Sequence, residues 1–317
     1  MRTVVGFLTA SALVAAMSAG ALAAGHSETV VAFDPETFQF SEGVAVDADG
    51  NVYASLSPLG QLVRVAPGAD LAETVGSVEG IGEGDFGLIG LAVGPDGAVY
   101  AALMSQNPDA NGVWRFDPAT GAAERVAGTE VIGFPNEPSF GDDGTMYVTD
   151  TIAGAVWRVP EGGSAESWIQ DPLLEGTGEA GFGFPLGPNG IEVVGDTAYV
   201  GVTETAQVVA IPINDDGTAG TPTTFVQHDS PIDGVAVDAA GNVYTTHPFA
   251  NEVRRVNADG DIEVIANVDD SLDGPTSVAI GSGAEGETAY IANFSGVPLG
   301  GELGAGPSVV SVPTGGE

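Results

Sequence analysis

One motif recurs six times along this chain, and repetition at this spacing restricts the fold to an array of like units. The copies are Glu42-GVAVDADGNV-Tyr53, Ile89-GLAVGPDGAV-Tyr100, Asn136-EPSFGDDGTM-Tyr147, Asn189-GIEVVGDTA-Tyr199, Asp233-GVAVDAAGNV-Tyr244 and Thr276-SVAIGSGAEGETA-Tyr290. The head residue stands eleven positions before its tyrosine in four copies, ten in the fourth and fourteen in the last. Each copy reads as an apolar strand such as Val44-Ala45-Val46, an Asp-x-x-Gly turn (Asp47 to Gly50), and a second strand ending in the tyrosine. A third strand follows, as in Leu62-Val63-Arg64-Val65, and a weaker fourth, as in Glu73-Thr74-Val75.

Four short strands in a unit of roughly 40–50 residues describe a propeller blade. Six copies predict an all-β, six-bladed β-propeller. The chain ends test the idea. After Val309-Val310-Ser311-Val312 only five residues remain, so the sixth copy lacks a fourth strand. Glu28-Thr29-Val30-Val31-Ala32-Phe33 repeats the fourth-strand pattern. The last blade is therefore expected to be closed by the N-terminal strand, which removes an open sheet edge. The aspartates of the turns, Asp47, Asp96, Asp143 and Asp238, read as structural, and the tyrosines as packing between blades.

Ahead of this lies Met1-Arg2, a largely apolar stretch and the small-residue run Ala21-Leu22-Ala23-Ala24. That pattern predicts a secretory signal peptide over 1–23, a single propeller domain over 24–317, and a secreted or periplasmic location. There is no cysteine, so no disulfide is available to an exported chain. Acidic residues number 44 against 7 arginines, with no lysine, for a net charge of −37. Such a surface repels nucleic acid and anionic membranes. It suits a salt-tolerant exported monomer that binds cations and a small-molecule substrate, with no membrane attachment once the signal is removed.

If the repeats close into a ring, their head positions converge at one mouth of the central channel. Glu42, Asn136, Asn189 and Asp233 would place only oxygens there. Alternatively they are unrelated turn residues. An all-oxygen set of two carboxylates and two amides selects a hard cation, Ca²⁺ before another divalent ion. The remaining heads, Ile89 and Thr276, leave one side of the ring open for substrate. Asp150 and His247 are expected on rim loops over the site. His247 reads either as a substrate contact or proton relay or as a loop-packing residue, and His228, five residues before Asp233, either as reaching the same mouth or as a surface or loop-packing residue. Phe184 lies in the Gly-rich segment Asp171–Pro188, a lid or merely a long connection.

Glu42-Gly43, Pro135-Asn136, Pro188-Asn189-Gly190-Ile191 and Asp233-Gly234 resemble the senescence marker protein/gluconolactonase-like family of six-bladed propeller hydrolases. The resemblance implies a catalytic Ca²⁺ held by Glu42, Asn136, Asn189 and Asp233. It implies hydrolysis of a lactone or related ester, with Asp233 as nucleophile or general base. It departs at Ile132-Gly133-Phe134-Pro135, where sugar-lactone members carry an arginine, and so leans toward a less polar substrate. The competing expectation is a non-catalytic, NHL-like binding scaffold with a structural metal, since the glycine–turn–tyrosine body of the repeat is shared with that group.

Overall fold

The β-branched residues alternate along runs of five to seven positions, and glycines with positive φ close the turns between them, as Gly50 does at +81°. The result, in a computed structural model describing residues 27–180, 183–283, 286–296 and 304–315, is six four-stranded antiparallel sheets. Side chains at 282, 283 and 286 are outside that description, as is the expected signal peptide. Among the described residues the only helical pieces are five 3₁₀ turns.

The innermost strands are Ser41–Val46, Gly87–Val93, Pro135–Phe140, Pro188–Val194, Val235–Val237 and Pro275–Gly283. The second strands, Val52–Leu56, Val99–Met104, Met146–Asp150, Thr197–Val202, Val243–His247 and Gly286–Asn293, carry the tyrosines. Glu28–Ala32 pairs antiparallel with Ser308–Pro313 as the outermost strand of the sixth blade. Closure by the N-terminal strand is therefore as expected.

Between successive blades lies one apolar layer, six in all, and each contains one of the six tyrosines. Tyr53 and Tyr244 also donate their hydroxyls to Asp47 and Asp238 at 3.0 and 2.9 Å, tying each turn to the layer beneath it. The blades approach closely at the head of the motif. A Cβ on Gly43 would stand 2.4 Å from the Ile89 carbonyl, and one on Gly90 2.5 Å from that of Asn136. Glycine at these two positions lets inner strands meet backbone to backbone, drawing the head residues toward the axis.

Candidate active site at the channel mouth

The head residues all stand where the chain enters an innermost strand, so they ring one mouth of the channel. Second-strand hydroxyls lock this ring. In blade 3, Thr149 accepts the Glu137 amide at 3.1 Å and donates to the Asn189 carbonyl of the next blade at 2.6 Å. In blade 5, Thr246 accepts from Gly234 at 2.7 Å and donates to the Thr276 carbonyl at 2.8 Å.

Asn136 and Asn189 are fixed through their nitrogens. Asn136 Nδ2 donates to Thr151 Oγ1 at 3.1 Å, and Asn189 Nδ2 to Thr203 Oγ1 at 3.2 Å. Both amide oxygens are thereby left for the channel. Glu42 Oε2 is buried without a hydrogen-bond partner. Burial first, and then the negative charge of Asp233, hold the Glu42 carboxyl well above the usual carboxylate range. Burial pushes Asp233 up to about 7, against a hydrogen bond from Asn189 that pulls the other way. No described arginine relieves this pair. Five of the six described arginines make salt bridges, to Glu73, to Asp96 and Glu124, to Glu166, to Asp229 and Glu252, and to Glu263. The sixth, Arg125, donates to the Pro108 and Asn111 carbonyls.

The mouth is thus a ring of oxygens with two desolvated carboxylates and no cationic side chain. A hard divalent ion fits that donor set, while no group of three or more His, Cys, Asp or Glu gathers as a metal cluster among the described residues.

Two acids missed at the sequence level deepen the field. Glu137 occupies the position after the head, where four other copies carry glycine, and that break in the repeat was its signal. It is 7% exposed and accepts the Ile191 amide at 3.2 Å. Burial, then the charges of Glu42, Glu192 and Asp233, raise its pKa well above the ordinary value. Burial lifts Glu192 to about 7. Both line a channel cavity of about 230 Å³ on the far side of the head ring.

Three expected substrate contacts take other roles. Asp150 accepts the amides of Gly133 and Phe134 at 2.9 and 3.1 Å, that of Ala153 at 3.3 Å and the Trp157 indole at 3.3 Å. Its carboxylate anchors the segment entering Asn136 and has no lone pair to spare for substrate. Thr276 donates to the Glu42 carbonyl at 2.7 Å, closing the ring between the last and first blades. His247 ends a strand instead of lying on a loop. It is fully buried, with Thr245 Oγ1 3.0 Å from Nε2 and the Ser230 carbonyl 3.1 Å from Nδ1. The His228 ring packs edge-on against it at 4.8 Å, with neither of its nitrogens bonded. Ile89 and Phe184 meet instead: both belong to an apolar cluster around Phe134. The segment carrying Phe184 is clamped by Glu204, which accepts the Gly178, Ala180 and Leu186 amides at 2.6, 2.7 and 3.2 Å.

Fold and mouth together define a six-bladed propeller with two desolvated carboxyls at one mouth of its channel. Residues 186–295, which include Asn189 and Asp233, match the model of the SMP-30/gluconolactonase/LRE-like region, so the resemblance to that family holds. No curated protein matches the chain in sequence. Among solved structures, a gluconolactonase of Xanthomonas campestris superposes with TM-score 0.67 at 17% identity, covering 92% of this chain and 91% of that one. Regucalcin of Agrobacterium tumefaciens, a calcium-binding protein, superposes with TM-score 0.64 at 17% identity, covering 87% and 90%. A chain of the nidogen–laminin complex does so with TM-score 0.57 at 15% identity, covering 77% and 84%. At these identities the likeness is one of fold, and that fold serves both enzymes and binding proteins.

Proposed function

We propose that this chain is a divalent-cation-dependent hydrolase that opens lactones or related esters at the channel mouth. The observation that carries the reading is the orphaned, buried Glu42 Oε2 beside the Asp233 carboxyl, faced by two amides anchored through their nitrogens. A buried unpaired charge is costly, and an ion is what this donor set fits. Glu42, Asn136, Asn189 and Asp233 would hold it, with Ca²⁺ first among candidates.

When bound, such an ion withdraws electron density from the ester carbonyl and stabilises the developing oxyanion. The chain supplies the rest. Asp233 takes a proton from the attacking water as that oxygen bonds to the carbonyl carbon. It returns the proton to the alkoxide oxygen as the ring C–O bond breaks. A direct attack by Asp233, followed by hydrolysis of the resulting anhydride, gives the same products. The amide oxygens of Asn136 and Asn189 would help to hold the ion, and the bonds to Thr151 and Thr203 keep those side chains from rotating.

A panel of lactones and aryl esters, assayed with and without chelator, tests the reading. Turnover lost on chelation and regained with Ca²⁺ supports it. Activity that survives both chelator and Asp233→Asn sinks the mechanism, and no turnover of any member favours the binding-scaffold alternative.

A further inference from the structure

Six apolar layers are needed to seal six blades, and a seventh apolar cluster lies outside them. It comprises Ile89, Ala102 and Phe134, with Met104 and Phe184 packed against it. Phe86 extends it, its ring 5.2 Å from Phe134 and edge-on, while Phe134 and Phe184 stand 6.1 Å apart. All three phenylalanines lie in segments entering innermost strands, in blades 2, 3 and 4, three, two and five residues before the heads Ile89, Asn136 and Asn189. The cluster therefore stands at the same mouth as the oxygen donors.

Ile89 joins the two. It holds in blade 2 the position that Glu42, Asn136, Asn189 and Asp233 hold in theirs, yet its side chain is packed into the aromatic cluster. The other non-ligand head, Thr276, spends its hydroxyl on the Glu42 carbonyl. The ring is therefore polar at every head but Ile89, and beside it the entering segments of blades 2 to 4 form an apolar arc through Phe86, Phe134 and Phe184. Phe86 remains 43% exposed and Met104 and Phe184 half-buried, so this arc presents apolar surface that the blades themselves do not cover.

We propose that this arc is the specificity surface of the site and receives an apolar alkyl or aryl arm attached to the scissile lactone or ester. The inference rests on the hydrolase reading for its substrate and names the class within it: hydrophobic lactones and esters over polyhydroxylated ones. A sugar hydroxyl set against Ile89 and the phenylalanines would lose its water without gaining a partner, whereas each methylene buried there gains roughly three- to fourfold in transition-state binding. Glu204, by clamping the segment that carries Phe184, is a positioning residue for this surface.

The test uses Ca²⁺-loaded protein and γ-lactones bearing unbranched alkyl tails of increasing length. The expected result is a kcat/KM rising about threefold per methylene over the first few carbons. That slope should be clearly shallower in the Phe86→Ala and Phe184→Ala variants. In parallel, calorimetry with 3-alkylcyclopentanones, which lack the scissile C–O bond, reads the same surface without chemistry. Ketone affinity that climbs with tail length, with no lactone opened, keeps the apolar surface and removes the hydrolase. A flat series in both measurements, with short lactones still turned over, overturns the surface and keeps the hydrolase. Equal slopes in wild type and both variants also overturn it.

Discussion

Two aspartates of the fifth blade, Asp233 and Asp238, stand five residues apart at opposite ends of one inner strand, and they are physical opposites. Burial alone would raise Asp238. Hydrogen bonds from the Asn242 side chain and amide, the Tyr244 hydroxyl and the Ala240 amide outweigh it and hold the carboxyl below its usual range. Asp233 faces Glu42 across the channel mouth, and burial takes it up to about 7. A carboxylate whose lone pairs are already spent holds a turn together. One left desolvated and under-bonded is poised for an ion or a proton. The same contrast separates Asp150, spent on the backbone, from Glu42, which is not.

Neutralising each aspartate should break the comparison in opposite directions. Asp233→Asn is expected to lower kcat/KM on any accepted lactone by roughly 10²–10⁴-fold, the usual range for losing a positioned base. It should also raise the melting temperature of chelator-treated protein at pH 8. The sign follows from linkage. A carboxyl whose folded pKa exceeds its unfolded value binds its proton in the folded state between about 4 and 7, so stability falls as pH rises through that window. The amide removes that loss. Asp238→Asn should do the reverse, costing about 1–3 kcal/mol of stability through lost turn bonds while turnover per folded molecule is kept. Equal effects of the two substitutions on both readouts would erase the distinction.

The buried histidines sharpen the contrast from the basic side. Burial first, aided by the Arg254 charge, takes His228 down to about 4 and His247 to about 3. The unfolded chain therefore takes up protons first, below about 6.5, and stability falls on acidification from there toward 4. Replacing His228 with Phe should gain several degrees in melting temperature relative to wild type at pH 5 compared with pH 7, measured by calorimetry. A pH-independent difference would contradict this. The smallest expected effect is at Glu204→Gln, which keeps one acceptor for three amides. It should raise KM for a long-tailed lactone two- to threefold and move kcat little, as read from full saturation curves.

The repeat made the blades legible because each strand is short, β-branched and bounded by a turn whose chemistry is local. The spacing from head to Tyr53, Tyr100 or Tyr244 therefore counts blades directly. The N-terminal closure was legible for the same reason: Glu28–Ala32 copies an outer strand that the sixth blade lacks. Residues whose role depends on a partner in another blade were harder. Asp150 falls where a rim contact belongs and Thr276 at a head position open to substrate, but the amides of Gly133 and Phe134 and the carbonyl of Glu42 claim them first. His247 reads as a loop residue beside Pro248, yet it completes a strand and is sealed by Ser230. Glu137 was visible only as a glycine that failed to repeat. The apolar arc needed three blades in register before Phe86, Phe134 and Phe184 could be seen to meet.

Calcium titrated by calorimetry into chelator-treated protein near pH 6.5, in two buffers of different ionisation enthalpy, tests the central claim most directly. The expected result is a single site per chain, proton release on binding because burial holds the Asp233 carboxyl near 7 and raises that of Glu42 beside it, and an affinity at least about 100-fold weaker in Glu42→Gln. Stoichiometric binding without proton release, unchanged by Glu42→Gln, would contradict it.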